Sequence, residues 1–129
     1  FLNKKYIQIE NEIFSEKASV KNLIKKIINE NYLDKRNIKE YISETHINKN
    51  FSVYLIKKEI VTKTCVGFRI KSSISGEYKA DIIIGVKDND EVHRQLLREV
   101  FELYNNKELL KKICFCRNIN EMSDLINMN

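Results

Sequence analysis

Two histidines, His46 and His93, are the side chains of this 129-residue chain best suited to group or proton transfer near neutral pH. His93 follows an apolar run, Ile82-Ile83-Ile84-Gly85-Val86, and a polar turn, Asp88-Asn89-Asp90. Asn89 or Asp90 fits the N-cap of a helix with an apolar stripe of Val92, Leu96, Leu97, Val100, Phe101 and Tyr104. A histidine in the first turn of such a helix, just past a buried strand, stands where α/β proteins build sites. The helix N-terminus draws anions such as phosphate and favours a neutral imidazole. A histidine that only covers the helix start would satisfy the same spacing. His46 lies in a polar stretch that reads as an exposed loop.

The cysteines offer less chemistry. Cys65, Cys114 and Cys116 are odd in number, and Cys-Phe-Cys is not a zinc-knuckle spacing. No His or Cys cluster accompanies them, so no metal site and no cofactor are expected. Buried structural thiols in a reducing compartment, the cytoplasm, are the expectation.

These residues must be positioned by a chain long enough for one domain with one sizeable core. At 43% hydrophobic and 32% charged residues, it belongs with globular rather than disordered sequences. No apolar run approaches the roughly 20 residues of a bilayer span, so membrane insertion is not expected. The start at Phe1 rather than Met points to a single domain, residues 1–129, excised from a longer protein.

The net charge of +5 is a weak signal of nucleic-acid binding. Ile (19), Lys (18) and Asn (15) dominate the chain, the bias of AT-rich codon usage, which makes lysine a default solvated residue. The excess falls in residues 51–80, with six bases and two acids, and no aromatic–basic repeat accompanies it. Direct nucleic-acid binding is therefore not expected.

Periodicity gives the order of elements. Tyr6–Ile9 reads as a strand. A helix capped by Ser19 carries Val20, Leu23, Ile24, Ile27 and Ile28, and a second, capped by Asp34, carries Ile38, Tyr41 and Ile42. Phe51–Ile56, Thr64–Ile70 and Lys79–Val86 read as strands, with a turn over Ser72–Gly76. The His93 helix, a short helix on Leu109, Leu110 and Ile113, and a last one on Ile119, Met122, Leu125 and Ile126 complete the chain. A contiguous run such as Ile82–Val86 belongs to a strand covered on both faces. The fold class is α/β, a three-layer α/β/α sandwich with a central mixed sheet.

The sequence of elements, with particular words in it, resembles the enzyme IIA domain of the fructose–mannitol class of the bacterial sugar phosphotransferase system. Asp90-Glu91-Val92-His93-Arg94-Gln95-Leu96-Leu97 resembles the family's Glu-Glu-His-x-x-x-Leu helix start, the most specific part. Asn106-Lys107-Glu108-Leu109-Leu110 resembles its next short helix. Asn31-Tyr32-Leu33-Asp34 with Ile38–Ile42 resembles its second helix, which ends in Arg-Glu; Ser43 and Glu44 stand in those two places.

The resemblance implies phosphoryl transfer through a histidine in an Ala-x-Pro-His word at the end of the next strand, fed by the carrier protein HPr and drained by enzyme IIB. Here that strand is Val53-Tyr54-Leu55-Ile56, and Lys57, or Lys58 with an offset of one, stands in the histidine's place. A lysine ammonium, with a reference pKa of about 10.4, offers no lone pair to accept a phosphoryl group at neutral pH. His93 matches the family's second, supporting histidine.

The residues and the resemblance leave three readings. The first is a degenerate enzyme IIA-like regulatory or interaction domain of a sugar-responsive transcription activator or antiterminator, with phosphotransferase-system proteins or its own sister domains as partners. In it Lys57 and His93 form an anion site. The second is a working phosphocarrier that uses His93 or His46. The third is an unrelated α/β binding module.

Overall fold

The structure is a computed structural model that describes residues 2–10, 16–28, 38–73, 75–87 and 89–127. Five strands form one mixed sheet: β1 (Leu2–Glu10), β2 (Ile42–Asn48), β3 (Phe51–Ile56), β4 (Cys65–Ser72) and β5 (Tyr78–Gly85). Their order across the sheet is β1-β4-β5-β3-β2. The pairs β1/β4 and β3/β5 are parallel, while β4/β5 and β2/β3 are antiparallel. Helix α1 (Glu16–Ile27) packs on one face; α2 (Asp90–Asn105), α3 (Lys107–Cys114) and α4 (Ile119–Asn127) pack on the other.

Period-two alternation sorts the residues of the central strands between the layers. Ile82 and Ile84 join Phe51, Val53, Phe68 and Ile70 beneath α2–α4. Ile83 turns the other way, to Val20, Leu23 and Ile24 on one side of α1 and to Ile28 just past its end. All three isoleucines are at most 1% exposed. A run without polar interruption is what a strand covered twice requires, and the three-layer α/β expectation holds.

Four expectations need correction. In place of a second helix through Ile38, Tyr41 and Ile42, Ile38–Tyr41 form one 3-10 turn, and the chain then enters strand β2. That strand sits at the sheet edge and is exposed along almost its whole length, so neither face shows an apolar alternation to read. The β-branched Ile42, Thr45 and Ile47 are the available signal. His46, Ser43 and Glu44 accordingly lie on a strand, not in a loop or at a helix end.

The other two corrections concern helices. α1 begins at Glu16, one turn before Ser19, in Glu-Lys-Ala, a run of good helix formers. On α2 the buried residue is Leu96, while Leu97 is half-buried and Phe101 is 63% exposed. At about 100° per residue, Phe101 falls roughly 140° around the helix from Leu96, beyond the contact line. Tyr32, Leu33, Asp34 and Asp88 lie outside the described residues.

The α1 face also carries a transverse row of polar residues. Gln8, Arg69, Asp81, Ser52 and His46 occupy successive register positions on β1, β4, β5, β3 and β2. Arg69 Nη1 donates to Asp81 Oδ2 at 3.2 Å with both side chains essentially inaccessible, and Lys79 Nζ lies 3.8 Å from Asp81 Oδ1. Ser52, also buried, shares a hydrogen bond of 2.8 Å with His46 Nδ1.

Candidate functional site

Because β3 and β5 are parallel and in register, with Ile56 beside Gly85, they end at the same edge of the sheet. The chain leaves β3 at Lys57 into a 3-10 turn, Lys58–Ile60, and leaves β5 at Val86 towards α2. Each exit is pinned through a backbone amide. Lys57 N donates to Tyr41 O at 2.8 Å, and Lys87 N donates to Thr64 Oγ1 at 2.9 Å. Buried Ile60 and Val61 then anchor the chain beneath α1.

The start of α2 is fixed by Asn89, the N-cap. Its side chain accepts from Val92 N at 3.1 Å, and its carbonyl accepts from His93 N at 3.1 Å. This is the role that an asparagine at this position should play. Asp90 and Glu91 occupy the first turn, where carboxylates complement the positive end of the helix dipole.

Between the two strand ends and the helix start lies a cavity of about 230 Å³. Lys57, Lys58 and His93 bring cations or N–H donors to its wall, Ser43, Asn89 and Asp90 bring hydroxyl, amide and carboxylate, and Leu55, Ile56 and Val86 make the apolar part. Lys57 is exposed, with its Nζ 6.0 Å from the centre of the Tyr41 ring. His93 is half-buried. Strand carboxyl ends facing a helix N-terminus make a usual α/β ligand crevice.

The structure thus brings Lys57 and His93, named from the sequence, to one cavity, with Lys58 beside them. His46 lies elsewhere. It pairs with Ser52, four residues and about 13 Å back along β3 from Ile56. Its Nε2 sits 2.6 Å from Glu44 Oε1, so both ring nitrogens are engaged at a largely exposed edge.

From the sequence, Ser43 stands only for a missing arginine; its place in the cavity wall comes from β2 being a strand paired with the end of β3. Asn89 and Asp90 read there as caps alone. The buried Arg69–Asp81 pair has no place in the sequence reading, although two charges inside otherwise apolar strand words, Gly-Phe-Arg-Ile and Ala-Asp-Ile-Ile, are a legible signal.

All three cysteines are buried thiols outside any disulfide. Burial, with Cys116 and then Asp81 adding negative potential, pushes the Cys114 thiol up to about 12; burial, then Glu121, also raises that of Cys116. Such thiols are poor nucleophiles. Among the described residues no group of three or more His, Cys, Asp or Glu is arranged to hold a metal, and no helix is long and apolar enough to cross a membrane.

No protein-family model matches the chain, and neither does any curated protein. Solved structures do. The crystal structure of IIA mannitol from Escherichia coli is 16% identical, with a TM-score of 0.65 over 98% of this chain and 99% of that one. In the NMR structure of the complex between enzyme IIA-mannitol and phosphorylated enzyme IIB-mannitol, also from E. coli, the matched chain gives a TM-score of 0.66 at 14% identity over the whole of both chains. The fold is that of a mannitol-type enzyme IIA. The enzyme IIA fold accounts for the entire described chain, and at these identities the likeness establishes architecture. It agrees with the family resemblance carried by the His93 segment.

Proposed function

We propose that this chain is a degenerate enzyme IIA-like regulatory or interaction domain, part of a sugar-responsive transcription activator or antiterminator. It works in the cytoplasm and uses the pocket of Lys57 and His93 to hold an anion, not to relay a phosphoryl group. The observation that carries the reading is Lys57 itself: it leaves β3 directly into the pocket that His93 lines, where the family resemblance calls for the accepting histidine. A lysine there attracts phosphoryl oxygens and cannot take the phosphorus atom as a neutral imidazole does. Its partners are phosphotransferase-system proteins or sister domains. Support for the first comes from the enzyme IIA-mannitol neighbour, which was solved bound to phosphorylated enzyme IIB.

The test is phosphorylation. Incubated with enzyme I, HPr and phosphoenolpyruvate, the domain acquires no acid-labile phosphate by mass spectrometry. Stoichiometric phosphate on His93 would overturn this reading in favour of a working carrier, the second reading, which His93's place in the pocket keeps in view. Phosphate on His46 would do the same, and would require that ring to give up Ser52 or Glu44.

A further inference from the structure

We infer that the pocket's ligand is a small phosphomonoester bearing hydroxyl groups, a phosphorylated sugar or polyol taken as an effector. The inference deepens the regulatory reading above and rests on it. Size is the first argument. About 230 Å³ equals the liquid volume of roughly eight waters at ~30 Å³ each, more than inorganic phosphate fills.

The division of chemistry in the wall is the second argument. Lys57 and Lys58 leave β3 together and supply two cations, and His93 can add a ring donor. The start of α2 adds its positive end, with Asn89 holding the first turn in place. A phosphate dianion belongs on that side. Asp90 also lines the wall, where a carboxylate accepts hydrogen bonds from hydroxyl groups and bare phosphate has none to spare.

A carboxylate, a serine hydroxyl and an asparagine amide together are acceptors and donors suited to hydroxyl groups. Leu55, Ile56 and Val86 offer an apolar surface to the C–H face of a sugar or polyol. A ligand with phosphate at one end and hydroxyls at the other satisfies every part of this lining. Phosphate alone does not.

Glucose 6-phosphate, glycerol 3-phosphate, inorganic phosphate and glucose, titrated separately into the labelled protein and followed by NMR, test the inference. The expected result is that at least one ester binds about tenfold or more tightly than inorganic phosphate, glucose does not bind, and the shifts centre on Val86, Asn89 and His93. Lys57→Ala and Lys58→Ala, both at exposed positions, weaken the ester about fivefold or more with the thermal midpoint unchanged. Asp90→Asn, which removes a charged acceptor for the ligand's hydroxyl groups, narrows the preference for the ester over inorganic phosphate. Inorganic phosphate binding as tightly as both esters, shifts centred elsewhere, or no binding by either ester would each overturn the inference. None of these results depends on phosphorylation by HPr. A phosphohistidine sinks the regulatory reading, whereas no phosphohistidine together with no ester binding sinks the inference alone.

Discussion

Beneath α2–α4 the inward side chains of β3, β4 and β5 are Phe51, Val53, Val66, Phe68, Ile70, Ala80, Ile82 and Ile84, whereas beneath α1 the same strands present Ile56, Cys65 and Ile83 near the pocket and Ser52, Arg69 and Asp81 further back. Burying apolar side chains contributes about 1.5–3 kcal/mol each, whatever the details of their neighbours. A buried ion pair offsets its own desolvation only when its geometry is kept. The first face therefore supplies most of the stability, and the second specifies which strand positions lie side by side. A one-residue slip of β4 against β5 would separate the Arg69 guanidinium from the Asp81 carboxylate.

Breaking one member of the pair is the most severe test of this contrast. Asp81→Ala leaves the Arg69 guanidinium buried without its carboxylate and should cost about 3–5 kcal/mol in urea denaturation. Replacing both, Arg69→Met with Asp81→Leu, should restore most of that loss or exceed it. A double variant as unstable as the single one would mean that the pair contributes net stability, and the contrast between the faces would dissolve.

On the apolar side, Ile82→Ala should cost about 2–5 kcal/mol, as cavity-forming core changes do. Leu97→Ala, on a half-buried side chain, should cost clearly less. Equal losses would place the contact line of α2 differently from its position here.

Raising the pH probes the same side through Cys114. Its thiol stays protonated in the folded state to about 12, while the unfolded thiol ionises near 8.5. The unfolded state thus loses the proton first, and this contribution is full below about 8.5 and declines as pH rises towards 12. The slope is at most about 1.4 kcal/mol per pH unit. Cys114→Ala should flatten stability against pH in that window, and an unchanged slope would assign it to other groups.

The smallest effect is expected at the exposed end of the polar row. His46→Ala removes one hydrogen bond to Ser52 and should cost about 1–2 kcal/mol, most of it from leaving the buried hydroxyl without that partner. His46→Asn, which keeps a polar group on the strand, should recover part of it by the same measurement.

The central strand and the face of α1 were legible because burial on two faces writes itself as a contiguous run in Ile82–Ile84, and burial on one face as threes and fours from Val20 to Ile28. The Asn89 cap was legible for a local reason: an N-cap needs only its own side chain and the amide three residues on. Strand β2 was hidden because an edge strand owes its backbone partners to β3, and its side chains owe almost nothing to the core. The pocket was legible only through its two most chemically distinctive members, Lys57 and His93. Ser43 belongs to it through a strand pairing, which no local pattern announces.

The pairing pattern also sets an order of assembly. Strands β4 and β5 are joined by a tight turn in which Gly76 N donates to Ser73 O at 3.0 Å, and Gly76 takes the positive φ of 91° that suits glycine. Their union closes a short loop. The parallel pairing of β1 with β4, by contrast, joins Ile7 to Phe68 across nearly half the chain. Closing that longer loop costs more chain entropy, so the β4–β5 hairpin should form early and β1 should dock late. In pulsed hydrogen exchange during refolding, the amides of Ile82–Ile84 should gain protection before those of Ile7 and Ile9. The terminal strand would then complete a sheet whose pocket end had already taken shape.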